Sequence, residues 1–171
     1  MKKFELTSEF VTFLGKKLFR IKALISFGNV KEGELGGFVE KEENLSNDGN
    51  AWVSGDARVS GDARVYGNAW VSGNAWVYGN ARVSGDAWVY GDARVSGNAD
   101  YATVQGFGSE YRTTTFFRTK AGDIGVRCGC FYGTLEEFRA KVKGAHGETK
   151  IAKEYLMVAD LMEFRFSKEE V

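Results

Sequence analysis

From Gly49 to Ser96 the chain repeats one six-residue sentence eight times: Gly, Asn or Asp, Ala, Trp or Arg, Val, Ser or Tyr. A fixed period of this kind is the signature of a solenoid. Within each hexad Ala and Val stand two apart. In extended chain they face one way, while the Trp/Arg and Ser/Tyr slots face the other. The Gly-Asn or Gly-Asp pair supplies the backbone freedom for a corner. One short side and one corner per hexad make a polygonal coil, and three sides bring residues eighteen apart into register.

Stacked in that way, the outward slot sorts into three columns. The first holds Trp52, Trp70 and Trp88, the second Arg58, Trp76 and Arg94, and the third Arg64 and Arg82, followed by Asp100 where the repeat decays. The core does not restrict this slot, so its contents answer to what each face meets. Three exposed Trp in one column make a large apolar patch, and Trp52, Trp70 and Trp88 are the expected oligomer interface. Arg beside aromatic rings suits phosphates and a stacked base. Arg58, Trp76, Tyr78, Arg82 and Arg94 are therefore the candidate ligand-binding residues, with Arg58 and Arg94 alternatively spent stacking on Trp76.

The register Val-x-Gly-Asn/Asp-Ala-x resembles the left-handed β-helix hexapeptide repeat. Val39 and Leu45 keep the Ala register in "GGFVEKEENLSND", so the coil is expected to begin near Gly37 and to run for about four turns. The fold expected is mainly β: a left-handed parallel β-helix over 37–108, an N-terminal β-hairpin cap over 1–36, and a small α+β domain over 109–171. In the first flank, "FVTFLGKKLFRIKALISFG" reads as a hairpin turning at Gly15-Lys16-Lys17. In the last, "EYRTTTFFRTKAGDIGVRCGCFYG" reads as a second hairpin turning at Ala121-Gly122-Asp123. Thr134 and Glu137 form a capping box opening a helix that ends at Gly147, and Ile151, Tyr155, Val158 and Met162 mark a second helix.

Charge narrows the function classes. The chain carries 23 Lys plus Arg against 23 Asp plus Glu, and the balance holds in each flank. A nucleic-acid binder would show a basic excess, so nucleic acid is not the expected partner. No apolar run has transmembrane length and no signal-peptide core follows Met1-Lys2-Lys3, so a soluble cytoplasmic protein is expected. Cys128 and Cys130 stand two apart in what reads as a strand, a poor geometry for a mutual disulfide. With a single His, no metal set is expected.

Left-handed β-helix proteins are commonly trimers, and the best-known hexapeptide-repeat proteins are acyltransferases with a coil-borne His as general base. Here the one His, His146, lies outside the repeat at a helix end, so no catalytic residue and no cofactor are expected. The segments "LFRIKALISFGNVKEGELGGFVEKEENLS" and "CGCFYGTLEEFRAKVKGAHG" resemble a hexapeptide-repeat family found in bacteriophages and prophages. That resemblance implies an accessory phage protein in an infected bacterial host. The expectation is a non-catalytic homotrimeric binding protein, an anti-defence factor that sequesters a nucleotide signal or blocks a host defence protein. The alternatives are a scaffolding oligomer and, third, an acyltransferase with displaced catalytic groups.

Overall fold

The computed structural model describes residues 1–168; the last three residues of the expected 109–171 segment lie outside it. The fold is mainly β, a solenoid of about three turns followed by a small sheet and two helices. Strand β1 (Phe4–Phe13) pairs antiparallel with β2 (Lys16–Ala23), which pairs with β3 (Leu35–Val39). Eight two-residue strands follow: β4 Trp52–Val53, β5 Arg58–Val59, β6 Arg64–Val65, β7 Trp70–Val71, β8 Trp76–Val77, β9 Arg82–Val83, β10 Trp88–Val89 and β11 Arg94–Val95. Then come β12 (Tyr101–Val104), β13 (Thr114–Arg118), β14 (Ile124–Cys128), β15 (Phe131–Thr134), α1 (Leu135–His146) and α2 (Lys150–Phe166).

The short strands stack in parallel at the eighteen-residue register. Trp52 pairs with Trp70 and Trp70 with Trp88; Arg58 pairs with Trp76 and Trp76 with Arg94; Arg64 pairs with Arg82. Every Ala and Val of the repeat is buried, and together they form the solenoid core. The eight corner glycines from Gly49 to Gly91 hold φ between +62° and +72°, a region costly for any residue with a Cβ. Coil-to-coil backbone bonds such as Trp52 N–H to Ala69 O (3.0 Å) and Ser54 N–H to Val71 O (2.9 Å) carry the ladder.

The hairpin joins this stack through β3. Phe38 pairs with Arg58 and Val39 with Val59 in parallel, so β1, β2 and β3 extend the β5–β8–β11 row into a six-stranded sheet. The turn falls at Leu14-Gly15, both with positive φ, one residue before the expected place. Below the first full coil, Leu45 makes a parallel bridge to Val65.

Open coil ends leave backbone groups that must be paired when buried. At one end the ammonium of the buried Lys3 donates to Ala51 O (2.8 Å), and the buried Asn44 amide donates to Ala63 O (2.8 Å) and Gly61 O (3.1 Å). At the other, Thr115 Oγ1 accepts the Trp88 N–H (2.9 Å) and Asn98 Oδ1 accepts the Arg82 N–H (2.9 Å).

Strand β13 links the two cores. Adjacent residues in a strand face opposite ways, and Phe117 enters the solenoid core while Phe116 enters the second. That second core packs the sheet β12–β13–β14–β15 against α1 and α2. The Thr134–Glu137 capping box forms as read, and Gly147 ends α1. Strand β14 stops at Cys128; Gly129 turns with φ +57° and Cys130 lies exposed beyond it. The two cysteines thus sit on either side of a turn, not along one strand, and both are free thiols.

Candidate functional site: the outward faces of the solenoid

The first column does not present three alike surfaces. Trp52 is 0 % exposed. Phe27 packs edge-on against it with ring centroids 5.4 Å apart, so the segment between β2 and β3 covers it. Trp52, expected at the oligomer interface, is thus covered by its own chain. Trp70 and Trp88 remain half-exposed, their rings tilted at 53° with centroids 6.5 Å apart rather than in a parallel ladder. A groove of about 600 Å³ runs beside them, lined among others by Glu34, Trp70, Asp86, Trp88 and Tyr90.

A hydrogen bond with its own period orients these indoles. Trp70 Nε1 donates to Ser54 Oγ (2.9 Å), Trp76 Nε1 to Ser60 Oγ (3.1 Å) and Trp88 Nε1 to Ser72 Oγ (2.9 Å), each pair sixteen residues apart. The two free slots are thus coupled between coils. Wherever the repeat places Trp at 70, 76 or 88, the residue sixteen earlier is Ser; where it places Arg at 82 or 94, that residue is Tyr. A Tyr ring would fill the space an indole needs, and a Ser hydroxyl supplies the acceptor its N–H requires. The rule is written in the sequence at a spacing of sixteen and is invisible at the eighteen-residue spacing of the coil.

Trp52 shows what happens where the rule lapses. Sixteen residues before it stands Gly36, and the Trp52 Nε1 has no hydrogen-bond partner. A Cβ at Gly36 would lie 2.7 Å from the Trp52 ring and 2.5 Å from both Ile21 Cγ1 and Val53 O. The close approach of β3 needs glycine there.

The second column is closed on itself. Arg58 lies over the Phe13 ring at 4.4 Å, Phe13 meets Trp76 edge-on at 4.7 Å, and Trp76 stacks on Tyr78 at 4.0 Å. Arg58 therefore stacks on the hairpin's Phe13 and not on Trp76. Arg94 donates to the carbonyls of Ala93 (2.8 Å) and Asn74 (3.1 Å). Four of the five candidate ligand residues, Arg58, Trp76, Tyr78 and Arg94, share this face. Arg82 does not. It stands with Arg64 on the third face, both exposed, with the Tyr101 hydroxyl donating to the Arg82 carbonyl (2.6 Å).

One contact on the face of the first column comes from outside the repeat. Arg127 of β14 lays its guanidinium over Trp88 (4.0 Å) and Tyr90 (4.7 Å), an arrangement of cation over ring face that gains when partly desolvated. No spacing rule connects residues 127 and 88, so only the folded chain brings them together.

Asp100, where the repeat decays, closes the end of the solenoid. Its carboxylate accepts from the Ser96 N–H (2.8 Å) and hydroxyl (2.6 Å) and from Arg118 Nε (3.0 Å). Burial pushes its carboxyl up, but the Ser96 bonds and the Arg118 charge outweigh burial and hold it below the ordinary value. His146 ends α1 with its ring stacked near Tyr155 (6.1 Å). Both border a cavity of about 210 Å³ that also touches Arg112, Cys128 and Phe138. The Tyr155 phenol is pushed up to about 12, first by burial and then by Cys128.

A family model described as "YdcK Beta solenoid repeat" matches residues 57–73, 63–79 and 75–91. The chain is a β-solenoid repeat protein. Those matches cover the central coils of the solenoid, where the outward slots carry the Trp70 groove and the Arg64–Arg82 row. No curated protein matches the chain. Among the described residues, no helix is long and apolar enough to cross a membrane.

Proposed function

We propose that this solenoid is a non-catalytic binding protein that works as an oligomer and acts by protein contact. The observation that carries this reading is the open groove at Trp70 and Trp88, whose indole N–H groups are already bonded to Ser54 and Ser72. The rings there offer apolar faces and little hydrogen-bond specificity, which suits a packed protein surface. In this account the coil is left-handed and counts about four turns when the Val39 and Leu45 segments are included, β1–β2 caps it, and three copies assemble in the cytoplasm of a phage-infected host. The biological role that fits is anti-defence, by blocking a host immune protein.

Capture of a nucleotide signal is the weaker branch. Trp76 and Tyr78 stack on each other, and Arg58 is held over Phe13, so a base would have to displace contacts already made. The same contacts favour the scaffolding alternative, in which the aromatic slots serve assembly alone. Calorimetry against cyclic and linear nucleotides tests the choice: no heat is expected. Micromolar binding that disappears in Arg94→Ala would restore the nucleotide reading. Loss of the defence-blocking effect in Trp70→Glu, with Arg94→Ala unaffected, would support protein contact.

A further inference from the structure

The third face carries a charge arrangement that the described residues leave unbalanced. Arg64 and Arg82 pair in register on neighbouring coils. Both are exposed, and among the described residues neither has a carboxylate within ion-pair distance. Like charges side by side in a ladder are destabilising unless something neutralises them.

The opposite imbalance lies across one corner. The chain passes from Arg82 through Asp86 to Trp88, so the arginine row and the tryptophan row share the corner that carries Asn68 and Asp86. On the tryptophan side, Glu34 and Asp86 both line the groove. Among the described residues, their side-chain oxygens accept from uncharged donors alone: the Lys31 N–H for Glu34 (3.1 Å) and the Asn68 amide for Asp86 (3.1 Å). Beside them stands the half-exposed Trp70 ring. One coil further on, Arg127 already shows how this wall receives a guanidinium, which sits 4.0 Å from the centre of the Trp88 ring and 4.7 Å from that of Tyr90.

We propose that the occupant of the Trp70 groove is the Arg64–Arg82 row of a second copy of this chain. One guanidinium lies over Trp70 as Arg127 lies over Trp88, and Glu34 and Asp86 supply the counter-charges. This inference rests on the oligomeric reading above and names the partner surface. Because two different faces meet, the contact is heterologous, and such contacts close into rings when the rotation permits. The two faces belong to one three-sided coil and share a corner. Such an assembly weakens with added salt to the extent that its charge pairs stay partly solvated.

Sedimentation velocity on three full-length chains tests the pairing: the unaltered protein, Arg64→Glu/Arg82→Glu, and that variant combined with Glu34→Arg/Asp86→Arg. All four positions are at the surface, and circular dichroism checks that each chain keeps its coil. The expected result is an oligomer for the unaltered chain, a weakening of at least about a hundredfold in Kd for the double reversal, and recovery of the oligomer when the charges are exchanged. An oligomer that ignores the double reversal, or one that the exchange fails to restore, overturns the pairing while leaving the oligomeric reading in place. A monomeric unaltered chain overturns both.

Discussion

Trp70 and Ser54 stand on consecutive coils, sixteen residues apart, joined by a 2.9 Å bond from the indole N–H to the serine hydroxyl. The same bond recurs at Trp76–Ser60 and Trp88–Ser72. It explains why the outward slot alternates between Trp and Arg without disturbing the coil. The choice is made jointly with the slot on the coil below.

Ser72→Ala should therefore destabilise the fold by about 1–2 kcal/mol, since the half-buried Trp88 donor loses its acceptor. Ser84→Ala, at the same slot but with no indole bonded to it, should cost less than about 0.5 kcal/mol. Urea unfolding of the two variants checks this, and equal losses would show the bond to be incidental.

Gly36→Ala should be among the most damaging single changes. The added methyl meets the Val53 carbonyl and Ile21 at 2.5 Å and the Trp52 ring at 2.7 Å. Backbone and a fully buried indole cannot yield cheaply, so a loss of about 2–4 kcal/mol is expected. Thermal unfolding measures it. A variant as stable as the parent would mean that β3 stands further from the coil.

Lys3 gives a signature in alkali. Burial lowers its ammonium to about 8, against a smaller opposing pull from Asp48. Its folded value thus lies below its unfolded one. Between pH 8 and the ordinary lysine value near ~10.4 the unfolded chain holds the extra proton, so stability contributed by this group rises with pH through that window. Below the window the folded state carries the cost of a buried ammonium. Subtracting the unfolding curve of Lys3→Met from that of the parent should show this rise, and a flat difference would contradict it.

Asp100 has the reverse sign. Its folded carboxyl lies below the ordinary value, so its contribution is present above the unfolded value near ~3.9 and is lost as pH falls through the folded one. Asp100→Asn should remove about 1–3 kcal/mol at neutral pH and flatten the acid limb of the stability profile. Chemical denaturation from neutral to acid pH reads both effects.

How much of this was legible depends on how far a residue's partners lie along the chain. The Gly-Asn-Ala pattern placed Ala57, Val59 and their equivalents inside the coil, because the period itself dictates which side chains turn inward. Thr134 with Glu137 marked the first helix start for the same local reason. The covering of Trp52 by Phe27, the docking of Phe13 on Arg58 and Trp76, and the seat of Arg127 on Trp88 were not readable. Each joins segments that only the folded chain brings together. The Trp–Ser rule lies between these cases: it is written in the repeat, but only at a spacing of sixteen.

Native mass spectrometry of the full chain, with and without Trp70→Glu, tests the central claim most directly. A three-copy mass for the parent and a one-copy mass for the variant, with the β-rich dichroism of both unchanged, is the predicted result. A one-copy parent, or a variant that keeps the parent's assembly, would contradict the account.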